Sequence, residues 1–263
     1  MTGIILAAGM GTRLGALTQD RPKAMLEFGG RTLLDHQVAA YRRCGGEHLA
    51  VIGGYRDDTI RCEGEVVRYR NPSYDRTNMV ESLMCARNEL RGTVLLSYGD
   101  VLFEDRVLEA AIRSTSAIGV TVDTDWRPYW QARYGDITTD TETLRMGNGR
   151  RIVRIGQPDP GPEDLDARYV GLLRFSDTGI SQLLAVYDRA RAAHAGGAWQ
   201  TSSRFEQGYL TDLLQEAIAQ GVEVDAVTTE RGWLEFDTPD DYELATRWAR
   251  EGQLREFCAL SLE

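Results

Sequence analysis

The chain has 263 residues, with 30 lysine and arginine residues against 40 aspartate and glutamate residues, which gives a net charge of -10. This acidic balance argues against a general nucleic-acid-binding protein, because such proteins need a basic surface for the phosphate backbone. The length allows one large α/β domain or two smaller ones, and hydrophobic residues make up an ordinary 42% of the chain.

No apolar run approaches the roughly 20 residues that a membrane-spanning helix needs. The apolar run at residues 4–8 lacks the basic flank of a signal peptide and is followed at once by glycine. The four cysteines are scattered, without the C-x-x-C pair that indicates a zinc or redox site. We therefore expect a cytoplasmic protein with free thiols and with neither a membrane nor a nucleic acid as partner.

Short apolar runs that stop at glycine or polar residues predict buried strands. In chain order, these predicted strands cover residues 3–7, 49–52, 65–69, 94–98, 118–122, 169–175 and 222–227. Apolar residues repeated every three and four positions predict helices. The predicted helices cover residues 32–44, 80–90, 104–113, 177–193 and 209–219. A last helix is predicted to begin at Thr238, which has the N-cap residue type and is followed by Pro239 and, three residues after it, Asp241.

This alternation of strands and helices predicts an α/β fold with a mostly parallel sheet that is covered on both faces. Residues from about 123 to 165 differ, because their periodicity is weak and they include two tryptophans, a Gly147-Asn148-Gly149 turn and four prolines. We interpret this stretch as an insertion of short antiparallel strands that forms a small lid. Because internal repeats and low-complexity linkers are missing, we expect a single domain over residues 1–263.

A glycine-rich turn directly follows the first predicted strand. Its glycines, Gly9 and Gly11, are spaced neither as in dinucleotide-binding turns nor as in a P-loop. Glycines allow close approach of the backbone to a ligand and can direct N–H groups at anions. Arg13 follows the turn, and Lys23 is the one lysine of a chain with 29 arginines. Two cations near such a turn suit a triphosphate, although Lys23 could instead be an ordinary exposed lysine.

Two further segments supply carboxylates that can face the same site. Asp100 follows the predicted strand at residues 94–98, and Glu235 and Asp237 precede the last helix. Carboxylates at the carboxyl ends of strands can hold Mg²⁺ together with substrate phosphates. The alternative is that these residues have only turn or helix-capping roles. Together with the glycine turn, they favour a metal held by Asp100 and Asp237.

The run LAAGMGTRL at residues 6–14, followed by Arg21-Pro22-Lys23, resembles the signature of nucleotidyltransferases that make sugar nucleotides and related activated head groups. The segments NPSYDRTNMVESL at 71–83 and GWLEFDTPDD at 232–241 resemble the phosphocholine and phosphonate cytidylyltransferase-like branch. That branch includes enzymes acting on 2-aminoethylphosphonate or phosphonoformate. The resemblance extends over residues 3 to about 248. The glutamine-glycine segment of the sugar-specific branches is missing near residue 80.

The resemblance implies a Rossmann-like, three-layer α/β/α nucleotidyltransferase fold with a mixed, mostly parallel sheet. It also implies Mg²⁺-dependent transfer of CMP from CTP to a small phosphonate, with release of pyrophosphate. It assigns nucleotide binding to residues of the glycine turn and of the second segment, namely Leu6, Ala8, Gly9, Gly11, Thr12, Arg13, Asn78 and Ser82. It assigns catalysis to four charged residues, Arg13, Lys23, Asp100 and Asp237, of which the two aspartates would hold the metal.

The acceptor is predicted to bind at the aromatic segment 125–134. Trp126 and Trp130 could enclose a quaternary ammonium such as that of phosphocholine. Arg127 and Arg133 could instead pair with a phosphonate or carboxylate. We favour a small anionic phosphonate or phosphate, because the two arginines would repel a cationic head group. The alternative is that the tryptophans are the core of a small subdomain.

Other functions remain open from the sequence. Within the same chemistry, the alternatives are a phosphocholine cytidylyltransferase and a sugar-1-phosphate nucleotidylyltransferase. A non-catalytic nucleotide-sensing domain is an alternative of another class, although the charged residues that a catalyst needs are all present. An NAD-dependent oxidoreductase is opposed by the glycine spacing. A homodimer is compatible with the sequence.

Overall fold

The computed structural model describes residues 1–158 and 160–260, so Asp159 of the predicted insertion and residues 261–263 lie outside the described residues. The strands are β1 (Thr2–Ala7), β2 (Glu27–Phe28), β3 (Arg31–Thr32), β4 (His48–Gly53), β5 (Val67–Arg70), β6 (Val94–Tyr98), β7 (Val101–Phe103), β8 (Ile118–Asp123), β9 (Glu142–Met146), β10 (Ile152–Pro158), β11 (Arg168–Phe175), β12 (Asp225–Thr229) and β13 (Trp233–Glu235). The α-helices are α1 (Leu33–Arg43), α2 (Met79–Cys85), α3 (Asp105–Arg113), α4 (Arg127–Tyr134), α5 (Asp177–His194), α6 (Leu210–Ala219) and α7 (Pro239–Glu251).

Seven strands form the central sheet in the order β12-β8-β11-β6-β1-β4-β5. Strand β1 lies parallel to β4 and β6, and β12 lies parallel to β8. Strand β11 is antiparallel to both of its neighbours, β6 and β8. The prediction of a mixed, mostly parallel sheet is therefore confirmed. Because the parallel strands β1 and β6 are neighbours, the loops that follow them lie side by side at one edge of the sheet.

Helices cover both faces of the sheet. On β1, Ile5 belongs to the apolar cluster that includes residues of α1, α3 and α7. Its neighbour Ile4 belongs to a second cluster with residues of α2, α5 and α6. Successive strand residues point to opposite faces, so one short apolar strand supplies both clusters. The result is the three-layer α/β/α arrangement that the sequence predicts. None of the helices in the described ranges is both long and apolar enough to cross a membrane.

The observed bounds of the helices and strands differ from the predicted ones by a few residues, mainly because the apolar sequence pattern does not end where the backbone hydrogen bonds end. The helix predicted at residues 80–90 ends at Cys85, and a short 3-10 turn covers Arg87–Glu89. The strands predicted at 65–69 and 222–227 are β5 and β12, shifted toward the C-terminus. Helix α7 begins as predicted, with the Thr238 side chain accepting a hydrogen bond from the Asp241 N–H at 3.2 Å.

The insertion contains both an expected and an unexpected element. Strands β9 and β10 form the predicted antiparallel pair. The preceding segment, where only irregular structure and strands were predicted, instead forms helix α4. Its aromatic residues pack into the core beside Trp233 and Trp248. That this insertion acts as a lid stays a prediction.

Candidate active site

A cavity of about 220 Å³ opens where β1 and β6 end. It is lined by every residue that the sequence predicts to bind the nucleotide or to take part in catalysis, namely Leu6, Ala8, Gly9, Gly11, Thr12, Arg13, Lys23, Asn78, Ser82, Asp100 and Asp237. These residues come from five separate parts of the chain. The fold brings them together because strands β1 and β6 are adjacent and the segment after β13 reaches the same edge.

The glycine turn takes a backbone conformation that suits glycine. Gly11 has φ of 63° and is the first residue of a tight turn closed by the Leu14 N–H, which donates to the Gly11 carbonyl at 2.9 Å. The Thr18 hydroxyl donates to the same carbonyl at 2.8 Å. A Cβ on Gly11 would stand 2.6 Å from Cγ of Lys23. Gly11 therefore allows both the left-handed turn and the close packing of the lysine stem against it.

Lys23 connects the two predicted metal ligands. Its Nζ donates to Oδ2 of Asp100 at 2.8 Å and also to Oδ1 of Asp237. The second oxygen of Asp237 pairs with the guanidinium of Arg13. The Asp237 side chain is only 4% exposed, so its charge depends on these two cations. Four charged groups from distant segments thus form one network.

The charge state of Lys23 follows from this network. Burial alone would lower the pKa of the Lys23 ammonium, but the carboxylates of Asp100 and Asp237 outweigh that effect. The net result is a pKa above the ordinary value for lysine. Lys23 therefore stays protonated near neutral pH and provides a permanent positive charge in the cavity.

Backbone pairing places Asp100 beside Asp237. Strand β13 pairs antiparallel with β7, and the Phe236 N–H donates to the Asp100 carbonyl at 3.0 Å. The buried amide of Gln37 on α1 also holds the turn, because its Nε2 donates to the Tyr98 carbonyl at 2.7 Å and to the Val101 carbonyl at 2.6 Å. Nothing in the sequence pattern distinguishes Gln37 from other residues of its helix, so sequence reasoning missed this role.

Asn78 and Ser82 stand at the start of α2, where they line the other side of the cavity. The Asn78 side chain accepts a hydrogen bond from the Met79 N–H at 2.9 Å, which is a capping contact. The buried Asn71 donates to the Ser82 hydroxyl at 2.9 Å and to the Thr77 hydroxyl at 2.9 Å. Local hydrogen bonds therefore fix both side chains in place, and their contact with a pyrimidine stays a prediction.

The two carboxylates fit a magnesium ion that also binds substrate phosphates. Asp100 and Asp237 converge on a single ammonium, which shows that their oxygens can reach a common cation. Among residues 1–158 and 160–260, no group of three or more histidine, cysteine, aspartate or glutamate residues could hold a metal ion. Mg²⁺ is typically bound by one or two carboxylates together with substrate phosphates and water.

A family model for the MobA-like NTP transferase domain matches residues 3–156, which is more than half of the chain. The chain belongs to this family. CTP:phosphoglutamine cytidylyltransferase of Campylobacter jejuni is 30% identical to this NTP transferase over 256 residues, which cover 93% of this chain and 98% of that one. CMP-5'-(3-aminopropyl)phosphonate synthase of Streptomyces rubellomurinus is 32% identical over 132 residues, or 48% of this chain and 21% of that one.

Solved structures share the fold of this NTP transferase. CTP:phosphocholine cytidylyltransferase from Streptococcus pneumoniae superposes with a TM-score of 0.69 at 18% identity, covering 94% of this chain and 98% of that one. The inositol-1-phosphate CTP transferase from T. maritima superposes with a TM-score of 0.68 at 21% identity, covering 98% of each chain. The predicted nucleotidyltransferase fold is therefore confirmed.

The aromatic segment of this NTP transferase does not have the predicted acceptor-binding arrangement. Trp126 is fully buried, and Arg127 stacks on it and donates to the Leu165 carbonyl at 3.0 Å. Trp130 is 1% exposed and packs against Trp233. Both tryptophans are buried, as the alternative interpretation had it, but Trp130 also lines a cavity that adjoins the first one. Trp126 is the N-cap residue of α4 and Trp130 lies four residues later, a spacing that turns both side chains to the same interior face.

Arg133 is also unavailable to an acceptor in this structure, which corrects the prediction for it. Its side chain is 1% exposed and forms two hydrogen bonds to Asp241, at 2.8 and 2.9 Å, and one to Glu235 at 2.6 Å. Asp241 in turn accepts from the N–H groups of Thr238 and Asp237, at 2.9 and 3.2 Å. Arg133 therefore positions the segment that carries Asp237 through its contacts with Asp241, and its guanidinium is not free to contact an acceptor in this structure.

A second cavity, of about 290 Å³, adjoins the first and was not predicted from the sequence. Met79 and Tyr98 line both cavities. Its charged lining residues are Glu142, Arg168 and Glu235, which lie on β9, β11 and β13. No motif in the sequence connects these three positions, because only the folded insertion and the sheet bring them together. The space next to the predicted nucleotide site is thus charged and large enough for a small second substrate.

Proposed function

We propose that this NTP transferase transfers CMP from CTP to a small phosphonate or phosphate acceptor, with Mg²⁺ and release of pyrophosphate. The observation that carries the proposal is the cavity in which Gly11, Arg13, Lys23, Asp100 and Asp237 meet at the ends of adjacent parallel strands. A preorganised cluster of cations and carboxylates around a glycine turn is suited to a triphosphate and a metal. The choice of CTP is supported by the relatives, whose names specify CTP or CMP.

The side chains of the first cavity would act by charge and position. The acceptor oxygen is already anionic near neutral pH, so it can attack the α-phosphorus of CTP without a general base. Lys23 and Arg13 would exchange their contacts with Asp237 for contacts with phosphate oxygens, which are equally anionic. Lys23 would then stabilise the charge that develops at the α-phosphate, while the Gly11 turn holds the leaving pyrophosphate.

Asp100 and Asp237 would hold the magnesium ion once Lys23 has turned to the phosphates. The ion would supply Lewis-acid stabilisation of the phosphate charge. Because Asp237 is only 4% exposed and pairs with two cations in the structure, its carboxylate needs a replacement positive charge when they leave it. Asp100 and Asp237 would therefore be the residues that hold the ion, while Lys23 and Arg13 hold the phosphates.

The acceptor class rests on the relatives and on the second cavity. The names of the Campylobacter and Streptomyces proteins specify a phosphorylated glutamine and an aminoalkyl phosphonate. Both are small phosphorus oxyanions joined to a polar organic group. The second cavity offers such a group a charged space next to the proposed CTP site, and Tyr98 and Met79 form the shared wall. An exposed aromatic enclosure for choline is not formed by Trp126 and Trp130, since both are buried.

A pyrophosphate-release screen tests the proposal. CTP, UTP, GTP and ATP are each offered with phosphoglutamine, 3-aminopropylphosphonate, 2-aminoethylphosphonate, phosphonoformate, phosphocholine and glucose 1-phosphate, with Mg²⁺ and with EDTA. We expect Mg²⁺-dependent release with CTP and at least one of the first four acceptors. Release with another nucleotide in preference to CTP would refute the choice of CTP, and CTP binding without any turnover would favour the nucleotide-sensing alternative.

A further inference from the structure

The second cavity contains a buried arginine with unused hydrogen-bonding capacity. The Arg168 side chain lines the cavity, is 8% exposed, and stacks on Trp130 with its guanidinium carbon 3.9 Å from the ring centroid. One terminal nitrogen donates to the Asp140 carbonyl. The other, Nη1, has no hydrogen-bond partner among the described residues. A buried guanidinium with a vacant donor is costly unless something else pairs with it.

The opposite charge in the same cavity is Glu142, at the start of β9. Among residues 1–158 and 160–260 its carboxylate forms no hydrogen bond or ion pair, and the main favourable charge acting on it is that of Arg168. Burial raises the pKa of Glu142 to about 7, because the favourable effect of Arg168 only partly compensates. Glu235, by contrast, already has a close partner in Arg133, 2.6 Å away. Glu142 and Arg168 are therefore two charged groups of opposite sign without direct partners of opposite charge.

We propose that the second cavity binds an amino-acid-like head group on the acceptor, with the ammonium of that group at Glu142 and its carboxylate at Arg168. The inference rests on the proposed function, since it takes the neighbouring cavity as the CTP site. The acceptor would thus be a phosphorus oxyanion that carries a zwitterion, with its phosphorus end toward Lys23 and its zwitterion in the second cavity.

A head group that is not a zwitterion would pair with at most one of the two charged residues, Glu142 and Arg168. An ammonium alone would pair with Glu142 but leave the vacant nitrogen of Arg168 without an acceptor. A carboxylate alone would pair with Arg168 and leave the half-buried Glu142 without a cation. A neutral alkyl group would leave both groups unpaired. Because unpaired buried charges cost more than neutral contacts gain, the charge pattern of the cavity favours a zwitterion.

Four phosphonates separate these cases by the charges they carry. Methylphosphonate has neither group, 2-aminoethylphosphonate has the ammonium, phosphonoacetate has the carboxylate, and 2-amino-3-phosphonopropionate has both. Pyrophosphate release from Mg-CTP is measured at pH 8, where Glu142 is ionised. We expect 2-amino-3-phosphonopropionate to have the highest kcat/KM, by about 10-fold or more over each acceptor with a single group.

Two variants test the assigned residues. Glu142→Gln should raise the KM for 2-amino-3-phosphonopropionate about 10- to 100-fold, and Arg168→Lys should do the same by losing the planar fork. The KM for CTP should stay within about twofold in both, because neither residue lines the first cavity. The exposed residues Glu230 and Arg247 provide matched controls, Glu230→Gln and Arg247→Lys, which should leave both KM values unchanged.

The outcomes distinguish this inference from the proposed function. CTP-dependent release that is equally fast with methylphosphonate would overturn the zwitterion site while leaving CMP transfer intact. A rise in the KM for CTP equal to that for the acceptor, or a matching loss of thermal stability, would assign Glu142 and Arg168 a structural role instead. If the Arg168 variant does not fold, the Glu142 variant decides alone. No release from CTP with any of the four acceptors would count against both proposals.

Discussion

Replacing Lys23 by alanine should remove the positive charge that the reaction needs at the α-phosphate. Removal of one preorganised charge stabiliser typically lowers turnover by about 10²–10³, or about 2.7–4 kcal/mol. The same change leaves Asp237 with Arg13 as its one cation in this network and removes the hydrogen bond to Asp100. We therefore also expect a loss of about 1–3 kcal/mol in the free energy of unfolding, because two partly buried carboxylates lose a charged donor.

Lys23→Arg keeps the positive charge at residue 23 but changes the shape of the side chain, so it tests the two contributions separately. Cγ of Lys23 lies 2.6 Å from the place that a Cβ on Gly11 would take, so the lysine stem lies directly against the turn. A planar guanidinium fork is wider than an ammonium and would collide with the turn or with the bound phosphates. We expect the turnover of Lys23→Arg to exceed that of Lys23→Ala by less than about tenfold. Lys23→Arg should nevertheless be the more stable of the two variants.

Turnover is measured by pyrophosphate release and stability by urea denaturation, on the same preparations. Arg21→Ala is the matched control, since Arg21 belongs to the same Arg-Pro-Lys run but, within the part of the chain that the structure describes, pairs only with the neighbouring Asp20. It should change turnover by less than about twofold. Near-normal turnover in Lys23→Arg would refute the argument from shape, and near-normal turnover in Lys23→Ala would refute the catalytic role.

Four further substitutions have distinct expected results. Asp100→Asn and Asp237→Asn should each abolish Mg²⁺-dependent turnover, and calorimetry should show a larger loss of stability for Asp237, whose side chain is 4% exposed against 18% for Asp100; full activity of either variant would contradict the metal assignment. The folded state keeps the Glu142 proton to about pH 7, against an ordinary pKa of 4.5, so the unfolding free energy should fall as pH rises through this interval. In Glu142→Gln, the decrease in unfolding free energy over this pH interval should be smaller by about 1–3 kcal/mol. If urea denaturation gives the same pH profile for the variant and for the unchanged protein, Glu142 titrates normally. Arg133→Gln should cost about 3–5 kcal/mol of stability, because it leaves the buried Asp241 and the partly buried Glu235 without their cation; a midpoint equal to that of the unchanged protein would contradict this.

The position of the first cavity could be predicted because its residues follow from short local patterns. The glycine turn after β1 and Asp100 after β6 meet because both follow adjacent parallel strands of one sheet, whereas Asp237 reaches them through the separate pairing of β13 with β7. The sequence also predicts the capped start of α7 at Thr238, which places Asp237 just before a helix. These features depend on neighbouring residues, so one chain is enough to recognise them.

The second cavity could not be predicted, because its charged residues meet only through the tertiary fold. Glu142 and Arg168 lie on strands of different sheets. The aromatic segment was misinterpreted for a related reason, since exposed and buried aromatic side chains have the same sequence pattern until the helix is recognised. Pro128 in the first turn and Gly135 at the C-cap are the signals that could have revealed α4. Recognising α4 would have predicted that Trp126 and Trp130 face the core together.

A crystal structure of the protein with CTP and Mg²⁺ tests the central claim most directly, because it locates the nucleotide and the lysine together. We predict that the triphosphate lies along Gly11, Thr12 and Arg13, with the cytosine beside Asn78 and Ser82. Lys23 should contact a phosphate oxygen, and Asp100 and Asp237 should both reach the metal. CTP bound elsewhere on the chain, or a Lys23 ammonium that still joins the two carboxylates with the triphosphate turned away, would contradict the account.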